Sequence, residues 1–354
     1  MIIDAIRNKL SENRALFDLY GEGVLSVELR APWRVSGSSR PLYYIYCGDA
    51  SMPSLVVKDA QPLFAPSPPL AVAPFISSLM PRQGVFSLLD QVFVWTEFIQ
   101  GLALLDILRR DQPHNCLKRL FSRLRGRSDD FPPATRKVFV EFAQCLLAEQ
   151  VEQAQQASMS LGELCSILEP RIAFPGGRNM LRDFLGACYP LHTPVLVLCS
   201  WSHGDLWPRD IFITPAGFRV IDWEWSAPQA PLGADIVDLL VTTAQHALGY
   251  TMEESWSALF RRSMPLFNSI QDMVLRHHTP ETWHMLLQYC LLRSLGRELA
   301  QDGPGKRLWE RYAALVGTLK KEGVQKGGHE TIRHRRHRRH VCKVLAASGL
   351  RCPS

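Results

Sequence analysis

Residues 201–225 read WSHGDLWPRDIFITPAGFRVIDWEW, and the pattern of this stretch decides the fold. Four acids, Asp205, Asp210, Asp222 and Glu224, are interleaved in it with tryptophan, isoleucine, valine and phenylalanine. Carboxylates beside such side chains tend to be partly desolvated, which is unfavourable unless a cation or a reaction requires them. The stretch therefore predicts a functional site.

The order of apolar and turn-forming residues predicts how these acids meet. PVLVLCSW (194–201) reads as a strand that ends before Asp205, and FRVIDW (218–223) reads as a strand that delivers Asp222. IFI (211–213) can pair with FRVI through the turn TPAG, which brings two acids 17 positions apart to one edge of a hairpin. One acid can accept a proton from a hydroxyl nucleophile while the other holds a divalent cation against a polyphosphate.

At these residues the sequence resembles the superfamily of aminoglycoside phosphotransferases and choline kinases, which are relatives of protein kinases. The loop H-G-D-x-x-x-x-N of that family is matched by residues 203–210, and its strand ending I-D-W/F-E/G is matched by 221–224. PLGADIVDLLV carries the downstream D-x-x-D-L element at Asp235 and Asp238. The resemblance covers about residues 20–319 and implies an α+β, protein-kinase-like fold of two lobes.

The resemblance also implies roles for the acids. Asp205 matches the catalytic aspartate, and Asp222 matches the aspartate that binds magnesium. Asp210 stands where the family has asparagine, and its carboxylate can serve as a second oxygen ligand to Mg²⁺.

Three more residues are expected to support the site. His203 is expected to brace the loop backbone, and Asp238 is expected to accept N–H groups from the loop and fix its shape. Glu224 is expected either at the rim of the site or in contact with a second metal or the substrate.

The pattern of the N-terminal part predicts a small antiparallel sheet, and the resemblance implies that this sheet binds nucleotide. Strand-like runs occur at 24–33, 41–47, 54–60 and 91–99, rich in valine, leucine and tyrosine. By resemblance, this part supplies a lysine for the phosphates, backbone N–H groups of a covering turn, and backbone groups of a hinge for adenine. These cofactor-binding residues are Lys58, Gly37, Ser38, Ser39, Glu97, Phe98 and Ile99.

The remainder of the chain is mostly helical in pattern. Helices are predicted at 2–20, 103–110, 113–125, 133–156, 178–187, 233–247, 253–268, 281–300 and 306–319. The predicted architecture is a β-rich nucleotide lobe with its hinge (1–101), an α-rich catalytic and substrate lobe (102–319), and a basic flexible tail (320–354).

Composition bounds the class of protein. At 354 residues and 46% hydrophobic, the chain can bury a sizeable core. It has no run of about 18 apolar residues, so we predict no membrane span. Nine scattered cysteines without a CxxC pair predict buried free thiols in a cytoplasmic protein. His277, His278 and His284 lie close in sequence, but no cysteine or acid completes a metal site with them.

The positive charge of the chain is concentrated at its C-terminal end. Ten lysines and arginines against two glutamates give residues 320–354 a net charge of +8, so the +6 of the whole chain leaves −2 for residues 1–319. RHRRHRRH (333–340) is compatible with nucleic acid or an anionic lipid surface, with a solvated tail, or with a reading-frame artefact.

Together these features predict an ATP- and Mg²⁺-dependent phosphotransferase that acts on a hydroxyl of a small molecule. A sugar, an amino alcohol and an aminoglycoside remain open as acceptors. The alternative is a kinase-fold binding protein without turnover. Asp210 at the asparagine position favours it, as does the lack of any glutamate between Lys58 and Glu97. A proline-rich segment, 61–74, also replaces the start of the helix expected there.

Overall fold

The structure is a computed structural model, and it describes residues 2–12, 25–30, 41–47, 50–60, 78–89, 91–110, 131–172, 175–187 and 194–301. Several predictions from the sequence lie outside these residues: Gly37, Ser38, Ser39, the segment 61–74, the helices at 113–125 and 306–319, and the tail 320–354. The chain divides into two compact units, residues 1–101 with 212–221, and residues 102–211 with those from 222 onward. The predicted lobe and tail limits stay a prediction.

The first unit is built on one helix and a five-stranded sheet. Its elements are α1 (Ile2–Ser11), β1 (Leu25–Arg30), β2 (Leu42–Cys47), β3 (Leu55–Ala60), β4 (Gln83–Leu88) and β5 (Gln91–Glu97). The strands follow the order β1-β2-β3-β5-β4, and every neighbouring pair is antiparallel. Strands β1, β2, β3 and β5 correspond to the four predicted strands, and β4 was not predicted.

The core of this unit lies between α1 and one face of the sheet. Ile6 and Leu10 are four positions apart on α1 and are buried, so one stripe of the helix packs against the strands. Phe86 and Phe93 are directly opposite on β4 and β5, and their rings stack at 5.4 Å. Alternating residues of β2, β3 and β5 complete the cluster: Tyr43, Ile45, Leu55, Val57 and Trp95.

A hairpin from later in the chain belongs to the first unit. β9 (Ile211–Thr214) and β10 (Gly217–Val220) are neighbours in a sheet, which confirms the predicted hairpin. In its turn, the Thr214 hydroxyl donates to the carbonyl oxygen of Gly217 at 2.8 Å. The Val220 N–H donates to the carbonyl oxygen of Leu79 at 2.7 Å, so the hairpin is bonded to the segment before β4.

The second unit is mainly helical. Its helices are α2 (Leu104–Arg110), α3 (Pro133–Glu152), α4 (Leu161–Leu168), α5 (Pro175–Ala187), α6 (Ala234–His246), α7 (Met252–Arg261), α8 (Pro265–Leu275) and α9 (Pro280–Gln301). Its strands are β6 (Leu102–Ala103), β7 (Gln155–Met159), β8 (Val195–Ser202) and β11 (Ala227–Pro231), with β8 antiparallel to both β7 and β11.

Two helix predictions need correction. The helix predicted over 133–156 ends at Glu152, and the residues after it turn into β7. The helix predicted over 253–268 is two helices, because Arg262 adopts a left-handed conformation (φ 53°) and Pro265 begins α8. Proline is favourable in the first turn of a helix but not in its interior.

Helix α6 is the centre of the second unit. Every residue from Ala234 to Ala244 is buried, including the acids Asp235 and Asp238. A helix buried on all sides needs internal partners for its charged side chains. These partners belong to the candidate site described below.

The predicted α+β class, with an antiparallel sheet in the N-terminal part and a helical C-terminal part, is confirmed. Within the described part of the chain, no helix is long and apolar enough to cross a membrane. Five cysteines are described and all are free. Cys165, Cys199 and Cys290 are buried, whereas Cys47 and Cys145 are partly exposed.

Candidate active site

The loop that follows β8 has a backbone that requires glycine. Gly204 has φ +86°, in the left-handed region that L-residues rarely adopt. A Cβ atom at this position would overlap the carbonyl oxygen of Trp225. The close approach of these two backbone segments therefore depends on the glycine of the His-Gly-Asp sequence.

Asp235 holds the start of this loop. Its side chain is fully buried at the N-terminal end of α6. One oxygen accepts the backbone N–H of His203 at 2.8 Å, and the other accepts that of Gly204 at 3.1 Å. The Ser202 hydroxyl (2.6 Å) and the Gln150 amide (2.9 Å) also donate to this carboxylate.

These bonds correct the prediction for Asp238, because the acceptor of loop N–H groups is Asp235. Asp238 instead accepts from two arginines of α9, at 2.9 Å from Arg293 Nη2 and at 2.9 Å from Arg297 Nη1. The two arginines are four positions apart and share one face of that helix. Both are almost fully buried.

Asp205 is held on one side only. Its Oδ1 accepts the indole N–H of Trp207 at 2.8 Å and lies 3.3 Å from Arg297 Nη1. Its side chain keeps 20% of its surface exposed, in contrast to Asp238 at 2%. Asp205 therefore combines an anchored carboxylate oxygen with access from outside.

Asp210 lies buried five residues further on. Its Oδ2 accepts the backbone N–H of Trp207 at 3.2 Å and closes a short 3-10 turn, Pro208–Asp210. Its Oδ1 is 3.4 Å from Arg209 Nε. Burial, followed by the neighbouring carboxylate of Asp222, raises the pKa of Asp210 well above its usual value, and Arg209 opposes this shift.

Asp222 lies two residues after β10, directly before the 3-10 turn Trp223–Trp225, and has an unusual backbone conformation. Its φ and ψ are 71° and 50°, which is the left-handed region that aspartate and asparagine tolerate better than most residues. After burial, its negative charge is the second cause of the raised pKa of Asp210. Glu224 follows within the 3-10 turn Trp223–Trp225, and its side chain is outside the described part of the structure.

His203 is buried behind the loop. Its ring lies 4.7 Å from that of Trp223 in an edge-to-face arrangement, and its Nδ1 accepts the backbone N–H of Asp205 at 3.4 Å. These contacts join the imidazole to the loop backbone and to Trp223, and the supporting role of His203 in the site stays a prediction.

The candidate nucleotide residues of the first unit lie on β3 and at the end of β5. Lys58 is in register with Leu42 on one side and Val94 on the other. The N–H groups of Glu97 and Phe98 donate to the carbonyl oxygens of Arg82 and Ser54, both at 2.8 Å. These two donors are therefore used within the first unit.

The third predicted hinge residue differs in its bonding. The N–H group of Ile99 makes no hydrogen bond to a described residue. It is therefore the donor of this segment that remains for the predicted contact with adenine.

The charges around the loop fit a divalent cation. Five carboxyl groups stand against the guanidinium groups of Arg209, Arg293 and Arg297, which leaves two formal negative charges when all are ionised. In the part of the chain described, no group of three or more His, Cys, Asp or Glu could hold a metal by itself. Magnesium is commonly bound through one or two carboxylates together with substrate phosphates and water, so Asp210 and Asp222 form a suitable donor set.

Sequence analysis missed Arg293, Arg297, Gln150 and Ser202. The arginines stand in a long helix in which nothing local distinguishes a buried charge from a solvated one. Asp235 was recognised as part of a motif, but its bonding role was assigned to Asp238. The one available signal was the spacing of Arg293 and Arg297 on a helix with few other charges.

The antiparallel β unit and the mainly helical unit define an α+β protein with paired acids in the loop after β8. No protein-family model matches the sequence, and no curated protein matches it. Among solved structures, the chain is similar to choline kinase LicA from Streptococcus pneumoniae, with 16% identity and a TM-score of 0.46 over 90% of this chain and 99% of that chain.

Two other similar structures have comparable values. A thermostable mutant of aminoglycoside phosphotransferase APH(4)-Ia has 10% identity and a TM-score of 0.46 over 89% of this chain and 99% of that one. Amicoumacin kinase hAmiN has 11% identity and a TM-score of 0.45 over 83% and 88%. At these values the likeness carries no statement about the site of this chain.

Proposed function

We propose that this protein is an ATP- and Mg²⁺-dependent phosphotransferase that transfers the γ-phosphoryl group to a hydroxyl of a small molecule. The observation that carries the proposal is the state of Asp205. Its carboxylate is anchored through one oxygen, keeps 20% of its side-chain surface exposed, and precedes the buried acid Asp210 by five residues. An accessible carboxylate beside a cation-binding pair is the arrangement that phosphoryl transfer needs.

In the proposed reaction, Asp205 orients the acceptor hydroxyl and takes its proton. The hydroxyl oxygen forms a bond to the γ-phosphorus, and the bond from that phosphorus to the β–γ bridging oxygen breaks. ADP leaves with the electron pair of the broken bond. Little covalent help is required of the protein, so its contribution is positioning and electrostatic stabilisation.

Asp210 and Asp222 are the proposed magnesium ligands. The bound ion would neutralise the charge that develops on the β- and γ-phosphate oxygens. A neutral carboxyl group is a poor ligand for a hard cation, so Asp210 would hold the ion in its ionised form. Glu224 is proposed as a further contact to metal or substrate.

The proposal for the nucleotide includes residues of the first unit. Lys58 would neutralise phosphate charge, and the turn with Gly37, Ser38 and Ser39 would offer backbone N–H groups. Glu97, Phe98 and Ile99 would hold the adenine through their backbone, with the Ile99 N–H as the available donor.

The first experiment measures ATP binding by calorimetry with and without magnesium, beside an Asp222→Asn variant. Asparagine keeps the left-handed backbone of this position and removes the charge. Magnesium-dependent binding that is lost in the variant supports the site, and release of ADP is then followed with sugars, amino alcohols and aminoglycosides. Absence of ATP binding under both conditions would refute the proposal.

One observation favours a second candidate, a kinase-fold binding protein without turnover. Both carboxylate oxygens of Asp210 already have partners, in Trp207 and Arg209, and its raised pKa favours the neutral form. Magnesium-dependent ATP binding without phosphate transfer to any acceptor would select this candidate. An Asp210→Asn variant that gains transfer activity would identify the acid as the cause.

A further inference from the structure

The two contacts of the Asp205 carboxylate meet at a single oxygen. Oδ1 receives the Trp207 indole N–H at 2.8 Å and lies 3.3 Å from Arg297 Nη1. Oδ2 has no hydrogen-bond partner among the described residues. A carboxylate held in this way has one oxygen with a structural task and one oxygen left for a reactant.

Arg297 is itself fixed, so it cannot follow a movement of Asp205. Its Nη1 also donates to Asp238 Oδ2 at 2.9 Å and to the carbonyl oxygen of Gly204. Asp238 is held in turn by Arg293, whose other terminal nitrogen donates to the Ser202 hydroxyl at 2.7 Å. The network therefore connects helices α9 and α6 to the loop that carries Asp205.

The charge of Arg297 persists in this buried position. Burial alone would lower the pKa of its guanidinium group, but the carboxylates of Asp205 and Asp238 raise it above its ordinary value. A permanent positive charge 3.3 Å from Oδ1 favours the orientation in which this oxygen faces the guanidinium group.

Trp207 is fixed by its ring. The indole stacks on the imidazole of His246 with centroids 4.3 Å apart and planes at 28°. The guanidinium carbon of Arg209 also lies 4.3 Å from the ring centroid. The indole N–H is therefore directed at Oδ1 by packing as well as by the hydrogen bond.

We propose that Arg297 and Trp207 are positioning residues, which fix Oδ1 of Asp205 so that Oδ2 accepts the proton of the acceptor hydroxyl. This inference rests on the proposed phosphotransferase function. A carboxylate freed from either donor would sample other rotamers, and a small misplacement of a reacting group is enough to slow the chemical step. Substrate binding would change little, because neither donor is assigned to ATP or to the acceptor.

The test compares kinetic constants of Trp207→Phe and Arg297→Lys with those of the unaltered protein. Phenylalanine keeps one aromatic ring against His246 and loses the N–H together with the second ring of the indole. Lysine keeps the charge and loses the planar fork. We expect kcat to fall about tenfold or more in each variant, with KM for ATP and acceptor within about threefold. An unchanged kcat, or a loss confined to KM, overturns the inference.

A matched control is Arg182→Lys, since Arg182 pairs with Glu169 on the surface of α5 and has a side chain 60% exposed. Its kcat should equal that of the unaltered protein. If Arg297→Lys does not fold, Trp207→Phe decides the kinetic test by itself. The tryptophan is at the edge of the network and its replacement leaves no buried charge unpaired.

A second measurement separates failure of this inference from failure of the proposed function. Crystal structures of the unaltered protein and of Trp207→Phe show the Asp205 carboxylate whether or not any phosphate is transferred. A carboxylate that turns away from its original orientation in the variant supports the positioning role. A carboxylate that keeps its orientation in the variant refutes the positioning role, and this result can be obtained even if the protein binds no ATP.

Discussion

Asp235 accepts the backbone N–H of His203 at 2.8 Å from a position where its side chain has no exposed surface. The bond joins the first residue of the candidate loop to the first turn of the buried helix α6. A side chain 32 positions further along the sequence therefore determines the shape of the loop.

Replacing Asp235 by asparagine should destabilise the protein strongly. The amide would place an N–H₂ group against N–H donors and leave the neighbouring Arg293 with less compensating charge, 3.8 Å away. Breaking a buried charged network by removing one partner costs about 3–5 kcal/mol. Urea denaturation measures this loss of stability. The control is Asp272→Asn, since Asp272 forms an exposed pair with Arg262, and it should change the free energy of unfolding by less than about 1 kcal/mol.

Gly204 and Gly217 provide a matched pair of substitutions to alanine. Both have positive φ, +86° and +111°, so each alanine suffers left-handed strain of about 1–2 kcal/mol. Only Gly204→Ala also drives a Cβ into the Trp225 carbonyl, because nothing lies within 4 Å of the Cβ position at Gly217. We expect a clearly lower melting temperature for Gly204→Ala. Equal melting temperatures would show that the loop can move away from Trp225.

The stability of the protein should fall in acid through His278. Burial lowers the pKa of His278 to about 4, and its Nε2 lies 2.9 Å from the carbonyl oxygen of Leu232. The unfolded chain takes up the proton near pH 6.5, whereas the folded protein stays neutral at this residue until about pH 4. Above pH 6.5 the free energy of unfolding therefore does not depend on the titration of this residue. As the pH falls from 6.5 to 4, this residue lowers the free energy of unfolding by about 3 kcal/mol.

The variant His278→Gln tests this origin of the acid sensitivity. Glutamine can still donate to Leu232 but does not titrate. The free energy of unfolding, followed from pH 7 to 4, should decline less steeply in the variant. Parallel curves for the two proteins would place the proton uptake at other groups.

Asp222 allows the effects of charge and of backbone strain to be separated. Both Asp222→Asn and Asp222→Ala should abolish magnesium-dependent ATP binding, because each removes the carboxylate. Only the alanine should also lower the free energy of unfolding, by about 1–2 kcal/mol relative to asparagine, since φ is 71° at this residue. Calorimetry and urea denaturation measure the two effects. Retained ATP binding in both variants would remove Asp222 from the proposed metal site.

The sequence predicted those features that local pattern controls. Strands β2, β3 and β5 were predicted because these runs are rich in valine, leucine and tyrosine and are separated by turn residues. The hairpin was predicted because its turn residues lie between two apolar runs. Strand β7 (QQASM) was not foreseen, because its residues are mostly polar and continue the pattern of the helix before it. Its pairing with β8 is a tertiary effect.

Only the part of the candidate site that lies close together in the sequence could be predicted. Asp205, Asp210 and Asp222 lie in one short stretch, and chain connectivity brings them near each other. Arg297 acts on Asp205 from 92 positions further along the chain, and only the packing of α9 reveals the contact. Long-range charge pairs leave no periodicity in the sequence from which to infer them.

The hairpin within residues 212–221 has a consequence for dissecting the protein by truncation. The first unit is discontinuous in sequence, because this hairpin is inserted between Ile211 and Asp222 of the second. A fragment that stops at Gly101 would lack the partner that bonds to Leu79 and, through Arg219, to Ser78. An autonomous version of the first unit would need residues 212–221 spliced to it through an artificial linker.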